Sequence, residues 1–600
     1  MNHKRKMKMT HRKHTHYIIG AALLAAASAL TVSCDNMFKD APINQISENS
    51  VWGNPQLLDE YENSWYRNMS NGFSTYVPSI ALVKSMSRYY MPWFGDQITV
   101  SKSNYYNAGY GDLLKGNSQE LTKWASNVWN TYFTQIQSIN TLLEHLDQVA
   151  DGDQKTRITG EAHFMRGYYY YLLWRMFGGV MIIDHTYDPL KNAEKFPRSS
   201  YQQMVDFITG EADLAAQSLP ATHVSTETGR ATRGAALMLK AKAYQWASSD
   251  IFQEKPDSLY YLGFTDNKSK EMLEKAKKTY EELMDMHRYS LVPIAATTQD
   301  GIRDEYRKIF LTKNSQESIL EVQHSDDGDY ANKFGHKLDR DACSPYFTGT
   351  TVAYSPTQNH VDEYGMRDGK SYDAQHPYDN RDYRFYANVL YDGCTFRGHV
   401  MDIHYTNRVA GVDLTPYGTS TTAAVTMTGY YLGKFVDETQ TIDNNETYAS
   451  KQNYIIWRYA EVLLDYAEVC YRLGDKETAL SYVNEIRRRV HMDELASLTW
   501  ESLVNERRVE MAFEETTYWD LFRWGIAYER MNGSENPLKA MRVDVTESNG
   551  VVTSTRYTIS NMNRFPKRVR VFSDKQYYLP IPWSEIKYHG VKQNPEWTEV

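Results

Sequence analysis

Apolar residues recur at three- and four-residue steps in several stretches of the chain, which is the spacing of an amphipathic helix. The clearest stretch, Glu120 to Val149, predicts a long helix that stops at Asp151-Gly152-Asp153. A second helix is predicted over about Lys155 to Phe177. Its partner is expected to begin after Ser199-Ser200 and to end before Pro220, because proline cannot continue a helix.

The same two-helix pattern occurs twice more. An Ala-rich helix is predicted over Ala231 to Ala247, and an amphipathic helix over Glu271 to Met286. Residues 459–489 predict two helices separated at Gly474-Asp475. Small residues stand where paired helices must approach closely, at Ala460, Ala467 and Ala479. This spacing resembles a tetratricopeptide repeat, in which neighbouring helix pairs bury each other's apolar faces.

Residues 290–450 have a different pattern, with many Gly, Asp, Asn and Thr residues and few periodic stretches. They predict loops and short strands such as Ser318 to Val322. Loops held on a rigid scaffold commonly form binding sites. The predicted fold is therefore mostly α. A tetratricopeptide-like helix-pair scaffold is expected at about 120–290 and 453–530, with a loop-rich ligand-binding region at about 290–450.

The first 33 residues predict a cleaved lipoprotein signal peptide. An apolar run from Tyr17 to Leu30 is too short for an ordinary membrane-spanning helix. Six cations precede this run, at Lys4, Arg5, Lys6, Lys8, Arg12 and Lys13. Small residues before Cys34 resemble a bacterial lipoprotein box, whose Cys is lipidated, although Thr31 stands where such boxes usually carry Leu. Plain secretion with an unmodified Cys34 is the alternative. Residues 34–600 are expected to form one domain, anchored by acyl chains.

Composition narrows the classes of function. The chain has 600 residues, and its 66 Lys+Arg against 75 Asp+Glu give a net charge of −9, so a broad nucleic-acid-binding surface is not expected. A hydrophobic content of 42% is too high for a disordered chain. Four Cys residues exclude a disulfide scaffold. Cys470 lies in a helical pattern and is expected to be buried, whereas a bridge between Cys343 and Cys394 is left open.

Four segments together resemble the SusD/RagB family of outer-membrane nutrient-binding lipoproteins. They are GEAHFMRGYYYYLLWRMFGGVMII at 160–183, RATRGAALMLKAKAYQWA at 230–247, IIWRYAEVLLDYAE at 455–468 continuing into NERRVEMAFEETTYWDLFRW at 505–524, and YYLPIPWSEIKYHGVKQNPEW at 577–597. Their order and spacing match the family across essentially the whole mature chain. The chain departs from the family at Glu515 and Thr517, where Gly and Arg are usual, and at Glu596-Trp597, where a Gly-aromatic ending is usual.

The resemblance implies a SusD-like fold and a binding protein that needs no cofactor and catalyses no reaction. Such proteins lie on the outer leaflet of the Gram-negative outer membrane, held by a lipid anchor. They bind oligosaccharides, or peptides in the RagB branch, and cover a SusC-like TonB-dependent transporter that imports the ligand. The chain is therefore expected to be a surface-exposed glycan-binding lipoprotein. Oligopeptide binding and a lipid-anchored glycoside hydrolase are the alternatives.

Aromatic residues in predicted loops are the main candidates for ligand contact, because a sugar ring presents C–H groups that stack on an aromatic face. Residues 88–110 predict neither a helix nor a strand, and their candidates are Trp93, Phe94, Asp96, Asn104 and Tyr106. The side chains of Asp96 and Asn104 are expected to form hydrogen bonds with hydroxyl groups of the sugar. The loop-rich region adds Tyr346 and Tyr354. Trp93 is the strongest candidate, since it follows Pro92 and lies outside every helical pattern.

A hydrolytic site has one candidate. Three glutamates at four-residue spacing share a helix face: Glu506, Glu510 and Glu514. A carboxylate pair could hydrolyse a glycosidic bond. Three arginines close in sequence are expected to neutralise these glutamates instead: Arg507, Arg508 and Arg523. A structural ion-pair network is therefore the favoured interpretation, and no catalytic residue is predicted.

No metal site is predicted either. His399 and His404 are five residues apart and off helical register, which gives little metal signal. The acidic run at 326–329 lacks the spacing of a calcium loop, so a solvated turn is favoured, with bound Ca²⁺ left open.

Overall fold

The computed structural model describes residues 51–69, 72–73, 94–100, 118–187, 195–325, 335–348, 354–414, 425–440, 442, 449–564 and 569–597. The larger helices are α1 Pro55–Tyr66, α2 Ser118–Glu144, α3 Asp153–Phe177, α4 Tyr201–Ser218, α5 Arg233–Ala247, α6 Ser269–Asp285, α7 Gln299–Leu311, α12 Tyr459–Arg472, α13 Lys476–Arg489, α14 Trp500–Glu510 and α15 Thr516–Arg523. Shorter ones are α8 Leu338–Ala342, α9 Pro345–Thr348, α10 Gln358–Val361, α11 Tyr383–Asn388, α16 Ala527–Met531 and α17 Trp583–His589. Short 3₁₀ helices occur at Leu146–Gln148, Ser225–Glu227, Asp250–Phe252, Asp257–Leu259, Met562–Arg564 and Asp574–Tyr577.

The strands are short except for one hairpin. They are β1 Ile98–Val100, β2 Ser318–Val322, β3 Tyr354–Pro356, β4 Val389–Leu390, β5 Thr395–Phe396, β6 His399–Val400, β7 His404–Thr406, β8 Val409–Ala410, β9 Tyr431–Leu432, β10 Tyr454–Arg458, β11 Lys539–Ser548 and β12 Val551–Asn561. The one sheet of more than two strands has the order β12-β11-β7-β8 among the described residues, with β11 and β7 parallel.

The helices form a continuous array. Helix α3 packs on α2 and α4, α5 packs on α4 and α6, and α6 packs on α12, which packs on α13. The array therefore runs from the first helix pair to the last, although the chain between α6 and α12 makes a long excursion. The mostly α, helix-pair scaffold predicted from the periodicity is confirmed.

Local sequence explains where these helices begin and how closely they pack. Ser200 and Gln203 form a reciprocal capping box at the start of α4, which satisfies backbone N–H groups that lack partners within the helix. The small residues predicted at helix contacts are fully buried, at Ala460, Ala467 and Ala479. The four consecutive tyrosines of α3 are also buried, so they belong to the scaffold: Tyr168, Tyr169, Tyr170 and Tyr171.

The excursion between α6 and α12 contains short strands, as predicted, and also short helices. Strand β2 pairs antiparallel with β10, so the segment leaves and rejoins the array at neighbouring positions. One prediction is wrong: Ile98–Val100 forms strand β1, which pairs with β3, although the pattern indicated no strand there. A second buried cluster of apolar residues lies in this part of the molecule.

Three cysteines fall within the described residues, and all are thiols: Cys343, Cys394 and Cys470. The bridge left open by the sequence is not formed there. Cys470 is buried, as predicted. Among the described residues, no helix has both the length and the apolar character to cross a membrane.

Candidate functional site

The described part of the chain contains four of the residues predicted to contact ligand: Phe94, Asp96, Tyr346 and Tyr354. The other three, and the expected lipidation site, lie outside it: Trp93, Asn104, Tyr106 and Cys34. The four described side chains differ in exposure. Only Tyr346 is exposed, whereas Phe94 is half-buried and the other two are buried.

Tyr346 presents an exposed ring that is supported from behind. It lies in the short helix α9, and 40% of its surface is exposed. Its ring stacks on the imidazole of His399, with the ring centroids 3.9 Å apart and 9° between the ring planes. Phe347 packs edge-on against both rings. Because His399 covers one face of the tyrosine, a further stacking partner can reach only the opposite face.

Asp413 holds this arrangement together. The His399 Nε2 atom lies 2.8 Å from Asp413 Oδ2. The same buried carboxylate accepts hydrogen bonds from the Ser344 hydroxyl and the Asp402 N–H. Ser344 precedes α9 by one residue, so one carboxylate positions both partners of the stacked pair. Tyr346, His399 and Asp413 are called the Tyr346 platform below.

Phe94 lies beside a small cavity of about 50 Å³. The wall is largely aromatic, with Trp124, Tyr518, Phe572 and Trp597, and includes the polar side chains Arg570 and Gln576. The Phe94 ring stacks on Trp124 with centroids 6.0 Å apart. A cavity of this size has room for a few water molecules. Phe94 therefore packs against the scaffold at the wall of this cavity.

The structure corrects the predictions for Asp96 and Tyr354, whose side chains are each 1% exposed. Asp96 Oδ1 accepts a 2.8 Å hydrogen bond from Arg508, and Arg530 lies 3.6 Å from Oδ2. This carboxylate balances interior arginines and does not reach a ligand. Tyr354 lies in β3, whose pairing with β1 draws both segments inward.

The hydrolase candidates are buried and paired with cations, as the network interpretation predicts: Glu506, Glu510 and Glu514. Their partners are not the predicted ones. Glu510 contacts three arginines from distant elements, Arg384, Arg458 and Arg489. The three arginines that were predicted as partners pair with other carboxylates instead: Arg507, Arg508 and Arg523.

The electrostatics of Glu510 are unsuited to acid catalysis. Burial alone raises the pKa of its carboxyl group, but the charges of Arg489, Arg458 and Arg384 outweigh burial and hold this pKa well below its usual value. A general acid of a glycosidase needs a raised pKa and contact with substrate. Glu510 has neither property.

Two family profiles match most of the chain between them. Residues 316–597 match the SusD family, and residues 46–245 match a family described as starch-binding, associating with the outer membrane. The chain belongs to the SusD/RagB family. The resemblance drawn from the four sequence segments is thereby confirmed.

Individual SusD-like proteins are similar over nearly the same length. A SusD-like protein of Bacteroides ovatus is 22% identical over 496 residues, which are 78% of this chain and 80% of that protein. The crystal structure of a SusD-like protein from Bacteroides fragilis has a TM-score of 0.71 and 25% identity, covering 93% of this chain and 100% of its own. Surface glycan-binding protein A from Bacteroides thetaiotaomicron, in complex with laminarihexaose, has a TM-score of 0.60 and 18% identity. The match covers 90% of this chain and 99% of that protein's chain.

The sequence of this SusD-like chain names Tyr346 as a candidate but does not indicate the residues that lie behind its ring. The sequence pattern marks His399 only as a weak candidate metal ligand and gives no signal for Asp413. The two are 14 residues apart and meet through the turns of the β5–β8 segment. Their only sequence signal is an imidazole and a carboxylate in one loop-rich stretch, which does not predict stacking on a tyrosine.

Proposed function

We propose that this protein binds oligosaccharides at the cell surface and passes them to a SusC-like TonB-dependent transporter. The observation that carries the proposal is the Tyr346 platform, an exposed aromatic ring held rigidly from behind. Membership of the SusD/RagB family supports the same function.

The platform suits the flat, apolar face of a sugar ring. Stacking on a tyrosine buries C–H groups against the electron-rich ring, and this contact is favourable when the ring is already ordered. The stacked imidazole of His399 and its carboxylate limit the motion of Tyr346. Less conformational entropy is then lost on binding.

A glycan is a better match than a peptide. Peptide recognition depends on backbone hydrogen-bond partners, often an exposed strand edge, more than on aromatic platforms. One solved structure with this fold carries laminarihexaose, a glucan oligosaccharide. Trp93 and Tyr106 are the two remaining aromatic candidates, and we propose them as further positions on which a sugar ring stacks.

In this proposal, acyl chains on Cys34 hold the protein at the outer membrane, and the protein has no catalytic activity. The basic, apolar leader supports the anchor, and the description of one matching family as associating with the outer membrane supports the location. The burial of Glu506, Glu510 and Glu514 argues against the glycoside hydrolase alternative.

Affinity electrophoresis against a panel of polysaccharides that includes laminarin tests ligand class, followed by calorimetry with the glycan that binds best. We expect retardation by at least one glycan and no release of reducing ends. Failure to bind any glycan, with binding of oligopeptides instead, would favour the peptide alternative. Co-purification of a TonB-dependent transporter from native membranes tests the partner.

A matched pair of variants tests the site. Tyr346→Ala is expected to weaken glycan binding about tenfold, roughly 1.4 kcal/mol. Tyr528→Ala is the control, because Tyr528 has nearly the same exposure, 41%, and lies in α16, which contributes no residue to the platform. Equal affinities of the two variants would remove Tyr346 from the site while leaving glycan binding itself intact.

A further inference from the structure

A second cluster of polar side chains lies in the β4–β8 segment, and the proposed function does not use it. One oxygen or nitrogen atom from each of three residues lies within 4.8 Å of the others: Asp392, Asp402 and His404. Asp392 lies between β4 and β5, Asp402 lies between β6 and β7, and His404 begins β7. The folding of these hairpins therefore brings the three residues together, and they are called the His404 cluster.

Asp392 orients the imidazole of His404. The His404 Nδ1 atom lies 2.8 Å from Asp392 Oδ1, which also accepts the Ile403 N–H at 2.9 Å. In the neutral imidazole this contact places the ring proton on Nδ1, because a carboxylate oxygen accepts and does not donate. The lone pair of Nε2 is then directed away from Asp392.

The Nε2 lone pair faces a second electron-rich atom. His404 Nε2 lies 3.3 Å from Asp402 Oδ1. Oδ1 is shielded from solvent and accepts no hydrogen bond from any residue that the structure describes, whereas Oδ2 of the same carboxylate accepts the Val412 N–H. A Cβ atom at Gly411 would lie 1.8 Å from Oδ1, so any residue other than glycine at this position would clash with the Asp402 carboxylate. While the imidazole is neutral, these two lone pairs repel each other, and either a metal ion or a proton between them removes the repulsion.

The spacing fits a transition metal better than a strong hydrogen bond. A charge-assisted N–H···O bond is usually about 2.7–2.9 Å long. Zinc binds nitrogen at about 2.0–2.1 Å and carboxylate oxygen at about 2.0–2.2 Å, so two ligands at a tetrahedral angle are about 3.3 Å apart. A carboxylate that holds the other ring nitrogen, as Asp392 does, is the usual outer partner of a zinc-binding histidine.

We infer that the His404 cluster binds a divalent transition metal such as Zn²⁺, with His404 Nε2 and Asp402 Oδ1 as ligands and Asp392 as the residue that positions the imidazole. The side chains of His404 and Asp402 are 25% and 33% exposed, so water molecules can reach the cluster and complete the coordination. The nitrogen ligand selects against Ca²⁺ and Mg²⁺, which prefer all-oxygen sites.

Calorimetric titration with Zn²⁺ tests the inference on the full chain in detergent. In the parent protein and in all variants, the four histidines of the leader are replaced by Ser, so that their imidazoles do not bind the metal. These histidines are His3, His11, His14 and His16. Asp402→Asn keeps the shape of the side chain and removes the ligand charge, and we expect at least a tenfold loss of affinity. Asp392→Asn is expected to weaken binding about 10- to 100-fold through the orientation of His404.

His376 and Asp379 supply the control, because they form an exposed histidine–carboxylate pair at 4.0 Å with no third ligand nearby in the described chain. Asp379→Asn is expected to leave Zn²⁺ affinity unchanged. With Co²⁺ in place of Zn²⁺, the parent protein should give d–d absorption bands that Asp402→Asn removes. Circular dichroism checks that Asp402→Asn and Asp379→Asn are both folded. Equal Zn²⁺ affinities of these two variants would overturn the inference. The His404 cluster would then consist of a protonated imidazole between two carboxylates.

Discussion

Arg508 donates a 2.8 Å hydrogen bond to the carboxylate of Asp96, although the two residues are 412 positions apart in the chain. Both are buried, and Arg508 also contacts Glu363. The contact joins the segment before β1 to helix α14. It therefore fastens an early segment of the chain to the late part of the helical scaffold.

Asp96→Ala is expected to lower the free energy of unfolding by about 3 kcal/mol. Removing one partner of a buried ion pair leaves the other charge uncompensated, which typically costs about 3–5 kcal/mol, and Glu363 retains part of the compensation. Urea denaturation measures the loss. Asp151→Ala is the control, because the ion pair of Asp151 with Lys155 is exposed. A loss at Asp96 no larger than at Asp151 would contradict the account.

Ala467→Leu is expected to destabilise the scaffold by about 1–3 kcal/mol, because a packed helix contact has no room for a larger side chain. Ala467 lies in α12 and is fully buried where α12 meets its neighbours. Thermal unfolding measures the effect. Ala496→Leu, the same change at an exposed position, should leave the melting temperature nearly unchanged. An unaltered melting temperature for Ala467→Leu would show that the contact has spare volume.

The shifted pKa of the Asp339 carboxyl group is expected to make the free energy of unfolding depend on pH. Burial raises its pKa from 3.8 to about 6, although it accepts hydrogen bonds from the Asp437 N–H and Gln452. The folded protein therefore binds this proton more tightly than the unfolded chain. The contribution of this group to stability is fully present below about pH 3.8 and is lost as the pH rises through about 6.

Asp339→Asn removes that titration. Between pH 7 and pH 4 the free energy of unfolding of the wild type should rise relative to the variant by on the order of 3 kcal/mol, since the shift is about two pKa units. Urea denaturation of both proteins at several pH values measures the difference. A difference that stays constant over this range would mean that Asp339 titrates normally in the folded protein.

Cys34→Ala is expected to leave a folded protein that no longer stays with outer membranes. Each buried methylene of an acyl chain contributes about 0.8 kcal/mol of membrane affinity, and the variant lacks the cysteine that the acyl chains are expected to modify. Membrane fractionation and immunoblotting measure retention. Ser33→Ala leaves Cys34 in place and is the control. Retention of the Cys34→Ala protein would show that the lipoprotein interpretation is wrong.

The helical scaffold was predictable because its signal is local. Residues such as Ala460 and Ala467 repeat at helical spacing within one element, and their neighbours along the chain are also their neighbours in space. The hairpin of β11 and β12 was missed, although Asn549-Gly550 between alternating residues is a typical hairpin signal.

The candidate site was only partly predictable because its contacts are long-range. Tyr346 follows from the preference of sugars for aromatic rings in loops. The burial of Asp96 depends on Arg508, and the stacking behind Tyr346 depends on His399 and Asp413. No periodicity or spacing in a single sequence encodes such pairs. They become visible only when β1 pairs with β3 and the β5–β8 turns close.

The antiparallel pair of β2 and β10 has a consequence for how this architecture varies. Residues 323–453 begin and end on adjacent strands, so they form a closed insertion whose ends meet at the helical array. Lengthening such an insertion costs little closure entropy, because that cost grows only with the logarithm of its length. The segment that carries the proposed ligand site can therefore change in length, while the order and spacing of the supporting helices stay the same.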